Sequence, residues 1–246
     1  MSSPFTFRPV AIACVALALG AGAAHADTFV QTYEAPGVLN TTSSIAGGVE
    51  TFDSVALGTG GFTTNYGSSG FTGTYSAAAQ IANPDQYGAA GGTGHYIVTF
   101  SSSGYSIALN QQANYFGYWL SALDSGNVVE FYNGASLVGS LDATGVLASI
   151  GSNSAYFGNP SGAFAGQDSA QPYAFVNFYD TTGSFDRIVF RETPEVGGYE
   201  SDNHTVGTYR DITGTPVTPV PEPETYALML AGLAVVARIA RRRKAR

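Results

Sequence analysis

The chain has 246 residues, of which 10 are basic and 18 are acidic, and its net charge is −8. The charge is unevenly distributed, because residues 27–220 carry 16 acidic side chains, no lysine and only three arginines, which are Arg187, Arg191 and Arg210. A body with a charge near −13 repels phosphate backbones and anionic lipid. This argues against a nucleic-acid partner and is compatible with divalent cations or neutral sugars.

The composition favours a folded all-β domain. Charged residues make up only 11% of the chain, but 15 tyrosines and 15 phenylalanines argue against disorder. Between residues 27 and 220 no sustained 3.6-residue apolar period occurs, and turn-forming residues interrupt the chain at short intervals. We therefore predict an all-β fold, an antiparallel β-sandwich of the jelly-roll type, as one domain over residues 27–212.

The N-terminus has the pattern of a secretory signal peptide. Val10–Ala24 is an unbroken run of small and apolar residues, and Ala24-His25-Ala26 is an A-x-A cleavage site. We predict that the Sec translocon exports the chain and that signal peptidase removes residues 1–26, so that the mature protein begins at Asp27. The single cysteine lies in this peptide, so the exported domain has no disulfide.

In the first half of the body, alternating apolar residues predict short strands between glycine-rich and serine-rich loops. Residues 58–94 are predicted to form short strands and long loops. Ser101–Gly104 is a turn-forming cluster between two apolar runs, and this predicts a hairpin. The predicted strands are Thr28–Glu34, Val49–Asp53 and the two hairpin strands Tyr96–Phe100 and Tyr105–Leu109.

An aromatic segment, Asn114–Asp124, lies in the middle of the body. It precedes the apolar runs Val128–Tyr132 and Ser136–Leu141, and Asn133-Gly134 between these runs is a strong hairpin signal. Within the aromatic segment, Trp119 and Tyr118 are candidates for a platform on which a sugar stacks. The alternative is that Trp119 belongs to the core of the sandwich.

Two further strands are predicted at Tyr173–Tyr179 and Phe185–Glu192, with a turn at Thr181-Thr182-Gly183 between them. In the second strand, Ile188 and Phe190 share one face. The opposite face carries Val189 between Arg187 and Arg191.

Residues 197–207 are predicted to be a loop between glycine turns, and they hold the best candidate for a metal site. Glu200, Asp202 and Asn203, with His204 beside them, are suited to wrap a calcium ion together with Asp124 or Asn127 from the aromatic segment. The alternative is that Asp202 and Asn203 satisfy backbone donors of a turn and that Glu200 pairs with Arg187 or Arg191. Calcium is the one candidate cofactor.

Catalytic motifs are absent from the sequence. It has no G-x-S-x-G, no H-E-x-x-H and no phosphate-binding loop. The pairs Asp124 with Glu130 and Glu200 with Asp202 can be drawn as a glycosidase dyad, but the sequence sets no separation between them. We predict a protein without enzymatic activity.

The C-terminal residues 221–246 follow a linker at residues 213–220 and consist of three parts. Pro221-Glu222-Pro223 holds the backbone extended, and Tyr226 suits a membrane interface. An apolar run follows and predicts one short transmembrane helix. The basic residues at its end, which include Arg241, Arg242 and Arg243, stay cytoplasmic under the positive-inside rule.

This order of triplet, aromatic residue, apolar span and arginine cluster resembles the PEP-CTERM sorting signal. The resemblance implies that exosortase cleaves the chain near Pro221-Glu222-Pro223 and transfers the body to the cell surface or the extracellular matrix. A plain membrane anchor that nothing cleaves is the alternative. The aromatic segment, together with Phe131-Tyr132-Asn133-Gly134 and residues 198–204, resembles a group of exosortase-dependent surface proteins, and this implies a β-sandwich ectodomain.

Two functions therefore stay open. The first is an exported, exosortase-processed protein of the cell surface or the biofilm matrix, without enzymatic activity. The second is a calcium-dependent, lectin-like module that binds carbohydrate, with exopolysaccharide as its partner.

Overall fold

The computed structural model describes residues 27–217, which form fifteen strands and one α-helix. The helix α1 is Ala143–Ile150, and short 3-10 turns lie at Tyr66–Ser68, Ala90–Gly92, Ser154–Tyr156 and Gly162–Phe164. The strands are β1 Phe29–Tyr33, β2 Ile45–Glu50, β3 Gly58–Thr59, β4 Phe62–Thr64, β5 Gly73–Tyr75, β6 Gln80–Ala82, β7 Tyr96–Thr99, β8 Tyr105–Ala113, β9 Tyr115–Ser121, β10 Asn127–Asn133, β11 Ser136–Asp142, β12 Ala174–Asp180, β13 Phe185–Glu192, β14 Tyr199–Tyr209 and β15 Thr215–Pro216.

The strands form two sheets whose pairings are antiparallel. The nine-stranded sheet has the order β15-β1-β12-β9-β14-β7-β6-β3, and β2 also pairs with β14. The six-stranded sheet has the order β11-β10-β13-β8-β5-β4. The two sheets pack face to face around one core, which confirms the predicted antiparallel β-sandwich.

Aromatic side chains fill the space between the sheets. The ring of Phe190 on β13 stacks on Tyr105 at 5.0 Å and on His204 of the opposite sheet at 5.1 Å. Phe131 of β10 packs against Phe178 of β12 at 5.4 Å. Because each aromatic side chain buries a large area, these rings supply the core that a domain without cysteine requires.

Loops cover the outer face of the nine-stranded sheet. Every residue of β9 and β12 is buried, and so is most of β14. On this outer face Trp119 and Phe175 form a second apolar cluster with Tyr173, and Leu39 and Ala90 from two loops pack against it. The central strands of this sheet are therefore interior on both faces.

Several predictions about strands are confirmed. Strand β13 has the predicted bounds, and Ile188 and Phe190 lie in the core while Arg187 and Arg191 lie outside it. Strands β10 and β11 form the predicted hairpin at Asn133-Gly134, where Asn133 pairs with Ser136. Strands β1 and β12 lie close to their predicted positions.

The predicted hairpin of Tyr96–Phe100 with Tyr105–Leu109 is wrong. Strand β7 belongs to the nine-stranded sheet and β8 to the six-stranded sheet, so the turn at Ser101–Gly104 carries the chain across the sandwich. Strands β9 and β10 also lie in different sheets, so the aromatic segment does not form a hairpin with the strand that follows it. A short turn between two apolar runs has the same sequence pattern whether it joins two strands of one sheet or carries the chain to the other sheet.

Helix α1 and strand β15 lie where the sequence predicted neither a helix nor a strand. Helix α1 follows β11 and buries Ala143, Val146 and Ile150, and it is too short for a sustained helical period. Strand β15 lies inside the predicted linker, where Thr215 pairs with Tyr33 and Pro216 with Thr32. The fold therefore extends past the predicted boundary at residue 212.

Within residues 27–217, no helix is long and apolar enough to cross a membrane. The predicted signal peptide and the predicted transmembrane helix, with its triplet and arginine cluster, lie outside the described residues.

Gly104 and Gly134 provide a matched test of the two kinds of turn. Their φ angles are nearly equal, +60° and +59°, but a Cβ at Gly104 would overlap the carbonyl oxygen of Phe190, whereas a Cβ at Gly134 would meet open space. We expect Gly134→Ala to cost about 1–2 kcal/mol of unfolding free energy from the left-handed backbone alone. Gly104→Ala should cost clearly more. Urea unfolding of both variants measures the difference, and equal losses would contradict the close approach of Gly104 to the backbone of Phe190.

Candidate functional site

The segment predicted to be a calcium-binding loop is part of a central strand. Residues 199–209 form β14, which lies between β9 and β7 and also pairs with β2. The prediction was wrong because consecutive polar residues from Glu200 to Thr205 are typical of a loop. Here they are buried, since loops cover one side of the strand and the core covers the other.

A bulge in β14 separates two environments. The pairing of β14 with β9 shifts register between Asp202 and Thr205, and Asn203 within this interval has φ +50°. Asp202 accepts hydrogen bonds from the backbone N–H of Ala90 at 2.7 Å and of Asn203 at 2.6 Å. The Asn203 side chain donates to the carbonyl oxygen of Leu39 at 2.9 Å. Asp202 therefore satisfies backbone donors, as the alternative to the calcium site predicted.

His204 lies on the core side of the bulge. Its Nδ1 is 3.0 Å from the Tyr75 hydroxyl, and its Nε2 is 2.9 Å from the Ser201 hydroxyl. All three side chains are buried, and burial lowers the pKa of His204 to about 3. The imidazole is therefore a neutral part of the aromatic core and is out of reach of a ligand.

The two residues predicted to stack on a sugar are buried on opposite faces of β9. Trp119 lies in the outer cluster beside Tyr173, and Tyr118 lies in the core, where its hydroxyl hydrogen-bonds that of Tyr199. Neither ring is accessible, with exposed fractions of 2% and 1%. Trp119 and Tyr118 therefore do not form the predicted platform, and Trp119 is a core residue, as the alternative proposed.

A groove of about 560 Å³ opens where the loops over the nine-stranded sheet leave it uncovered. We call it the acidic groove, because three carboxylates line it. It combines these with aromatic side chains from the ends of β6 and β7 and with a glycine pair before β14. Its lining residues are Asp85, Tyr87, Tyr96, Phe100, Ala122, Asp124, Gln171, Val196, Gly197, Gly198 and Glu200.

Glu200 is the most buried acid of the groove, with 6% of its surface exposed. Gly198 leaves room for it, because a Cβ at that position would overlap the carboxylate. Burial above all, together with the nearby charges of Asp124, Asp85 and Glu192, raises the pKa of Glu200 to about 8. The hydrogen bond that favours its ionised form comes from its own backbone amide.

Hydrogen bonds from other residues hold the remaining two acids of the groove, Asp85 and Asp124, in place. Asp85 accepts from the backbone N–H of Tyr87 at 2.8 Å and from the Tyr96 hydroxyl at 3.0 Å. One oxygen of Asp124 accepts from the Gln171 amide at 2.9 Å, and burial raises the pKa of Asp124. These bonds fix the directions in which the carboxylates face the groove.

Among residues 27–217, no cationic side chain lines the acidic groove. Arg191 forms an ion pair with Glu130 at 3.0 Å, and the Arg187 guanidinium lies 3.8 Å above the Tyr132 ring, both on the six-stranded sheet. The predicted pairing of Glu200 with Arg187 or Arg191 is therefore wrong. Within residues 27–217 the carboxylates of the groove therefore form no ion pair with an arginine.

The four predicted calcium ligands do not surround one point. Glu200 and Asp124 line the acidic groove, whereas Asp202 and Asn203 make their bonds to loop backbone. In the part of the chain that the structure describes, no group of three or more His, Cys, Asp or Glu side chains is close enough to hold a metal ion. Calcium binding stays a prediction, with Glu200 and Asp124 as its remaining ligands.

A second cavity, of about 700 Å³, lies beside the end of β2 and β4. Its acid is Glu50, whose carboxylate accepts from the backbone N–H of Phe52 at 2.6 Å and from the Thr64 hydroxyl. Because both oxygens are engaged within the fold, this cavity has a weaker case as a binding site than the acidic groove.

Replacing Glu200 by Gln should change how stability depends on pH. The folded-state pKa of about 8 lies above the ordinary value of 4.5, so the protonated side chain contributes its full stability below about pH 4.5 and loses it as the pH rises through about 8. Glutamine stays neutral. We therefore expect Glu200→Gln to gain unfolding free energy relative to the wild type across this range, as measured by urea unfolding at several pH values.

Asp186→Asn on the six-stranded sheet is the matched control for this experiment. It lies outside the groove, where Asp186 accepts from the backbone N–H of Gly134 at 3.0 Å. A difference between wild type and Glu200→Gln that stayed constant with pH would contradict the buried, protonated state of Glu200.

Comparisons with known proteins give two findings and one negative result. A solved structure of a mutant of CBM29-2, described as a family 29 carbohydrate binding module, aligns with 79% of this chain and 100% of its own, at 15% identity and a TM-score of 0.26. A likeness this weak supports no argument about the present chain. No curated protein matches the sequence.

The family model of the PEP-CTERM protein-sorting motif matches residues 219–244. The match includes Pro221-Glu222-Pro223, Tyr226 and the arginines Arg241, Arg242 and Arg243, which are the residues that the sequence singled out as a sorting signal. The motif implies export and surface localisation that depends on exosortase. The chain therefore carries a PEP-CTERM sorting motif after a body that is a β-sandwich.

Proposed function

We propose that this chain is a non-catalytic protein of the cell surface or extracellular matrix, and that its sandwich binds polysaccharide in the acidic groove. One observation supports the binding function above all others. The groove brings three carboxylates together with two exposed aromatic rings, Tyr87 and Phe100, in an open cavity of about 560 Å³. Polar groups that converge beside apolar surface are the usual features of a ligand site.

The two kinds of side chain match the two kinds of surface on a sugar. Carboxylates accept strong, charge-assisted hydrogen bonds from hydroxyl groups. Aromatic rings offer apolar faces to the C–H side of a pyranose. Tyr87 is 42% exposed and Phe100 55%, whereas Asp85, Asp124 and Glu200 lie further inside. A sugar ring on these aromatics therefore has hydroxyl groups within reach of the acids.

The two carboxylate dyads drawn from the sequence bear on the proposal that the protein is non-catalytic. Of the two dyads drawn from the sequence, Asp124 with Glu130 is divided between the groove and the six-stranded sheet, where Glu130 binds Arg191. In the other, the Asp202 carboxylate is bonded to backbone amides of Ala90 and Asn203. Neither dyad has two carboxyl groups that face a common substrate.

A calcium-dependent form of this binding is a second candidate. Asp124 and Glu200 line the same groove, and a calcium ion that binds both could take its remaining oxygen ligands from sugar hydroxyls. Measuring polysaccharide binding with calcium and with a chelator separates the two candidates.

Removing the aromatic rings of the groove should weaken polysaccharide binding. We expect Tyr87→Ala and Phe100→Ala each to bind about tenfold more weakly, because each loses the stacking surface that the sugar covers. Leu137→Ala is the matched control, since Leu137 is similarly exposed, at 47%, but lies on β11 of the other sheet. Affinity electrophoresis in a panel of soluble polysaccharides provides the measurement.

If the three variants bind every polysaccharide as the wild type does, the groove is not the binding site. The recovered polysaccharide is also sized after incubation with the protein. An unchanged chain length is expected, and shortened chains would contradict the proposal that the protein is non-catalytic.

Replacing Pro221-Glu222-Pro223 by alanines should abolish processing of the C-terminus. We expect the wild-type protein from its host to have an intact mass that lacks the C-terminal segment, and the variant to retain that segment. Mass spectrometry of the two recovered proteins tests this. A wild-type mass that includes the arginine cluster would favour a plain membrane anchor.

A further inference from the structure

We infer that the ligand of the acidic groove carries a protonated amine, so that the polysaccharide is one with free amino sugars. This inference rests on the proposed function and specifies the ligand of the same site. It depends on the positions of the acids in the groove, on the burial of one of them and on the exposed aromatic rings beside them.

The charges around the groove have one sign. Asp85, Asp124 and Glu200 line it, and Glu192 lies buried behind it, where the Asn127 side chain donates to it at 2.7 Å. Asp168 is close to the same region and accepts from the Tyr173 hydroxyl at 2.9 Å. Within residues 27–217 no arginine or histidine lines the cavity, and this range contains no lysine. A neutral sugar leaves the mutual repulsion of these acids unchanged, whereas an ammonium group relieves it.

Glu200 is the acid on which a cationic ligand would act most strongly. Its side chain is more than nine-tenths buried, yet it lines the cavity, and the hydrogen bond to its carboxylate comes from its own backbone amide. Asp85 and Asp124, by contrast, accept from other side chains. An ammonium group has three hydrogen-bond donors and no acceptor. It therefore suits a pocket that is lined by carboxylate acceptors and in which no other side chain of residues 27–217 donates to Glu200.

The rim of the groove favours an amino sugar over a metal ion. A metal needs several ligands around one point, and the described residues offer no group of three acids or histidines at such a point. The exposed rings of Tyr87 and Phe100 would add nothing to a bare ion, but they suit both the apolar face of a pyranose and a nearby ammonium group.

The number of protons released on binding provides a second measurement of the same interaction. The titratable groups that face the groove are Asp85, Asp124, Glu200 and the hydroxyls of Tyr87 and Tyr96, and Glu192, Asp168 and Tyr173 interact electrostatically with the acids of the groove. An ammonium group beside Glu200 favours its ionised form. Binding near neutral pH should therefore release protons from Glu200 as the cation takes their place.

The test compares three β-linked oligosaccharides of equal length, built from glucosamine, from N-acetylglucosamine and from glucose. Calorimetric titration of the full-length protein in neutral detergent at about pH 6 measures each affinity. We expect the glucosamine oligomer to bind at least about tenfold more tightly than the other two and to lose this advantage at high salt. Its titration in buffers of different ionisation enthalpy should show proton release.

Two variants and one control assign the effect to the groove. Glu200→Gln and Asp124→Asn should each reduce the preference for the glucosamine oligomer, and Glu200→Gln should also abolish the proton release. Asp186→Asn on the six-stranded sheet should keep both. A preference that all three variants retain would place amine binding elsewhere and overturn the inference.

The outcomes distinguish this inference from the function on which it rests. Equal binding of the three oligomers would overturn the requirement for an amine and leave polysaccharide binding intact. Binding of none of them would count against the proposed function as well. If a lysine-rich peptide then bound with the same dependence on Glu200 and Asp124, the groove would be a site for a cationic protein segment, and the inference of an amino sugar would be wrong.

Discussion

The burial of β14 on both faces is the constraint on which the rest of the structure depends. A strand in the middle of a sheet must satisfy every polar group that it buries, and β14 carries Glu200, Asp202 and His204 within a few residues. Asp202, before the bulge at Asn203, bonds the loop at Ala90, and the bulge places His204, after it, in the aromatic core. Glu200 is left facing the groove, where the cover of loops ends.

The cover of loops therefore determines both the fold and the site. Where it is complete, Asp202 meets a backbone amide, and burial raises the pKa of Asp202 to about 8. Where it is open, at the acidic groove, Glu200 has the same raised pKa without a partner side chain. Retaining an acid in so unfavourable a setting costs stability, and a ligand that interacts with it would offset that cost. The groove is thus a consequence of how the sheet is covered.

The sequence predicted what depends on local pattern. Strand β13 and the hairpin at Asn133-Gly134 follow from alternation and turn chemistry, which act over a few residues. Prediction from the sequence failed where the structure depends on contacts between residues that are far apart in the chain. The turn at Ser101–Gly104 is compatible with a hairpin and with a crossing, and only the pairing of Tyr105 with Phe190 on β13 decides between them.

The polar run in β14 resembled a loop because its partners lie far away in sequence. Of the groove, the sequence singled out Glu200 and Asp124, whereas Asp85, Tyr87 and Phe100 come from other loops and carried no local signal.

The sorting motif and the groove are related by the order of strands. The chain leaves the described fold just after β15, which pairs with β1 at one edge of the nine-stranded sheet. The acidic groove lies at the ends of β7 and β14, and β1, β12 and β9 separate β14 from β15. At about 4.8 Å between neighbouring strands, this places the groove roughly 20 Å across the sheet from the point at which the chain leaves the described fold. The acidic groove, where we propose that polysaccharide binds, therefore lies away from the edge of the sheet at which the chain continues toward the sorting motif.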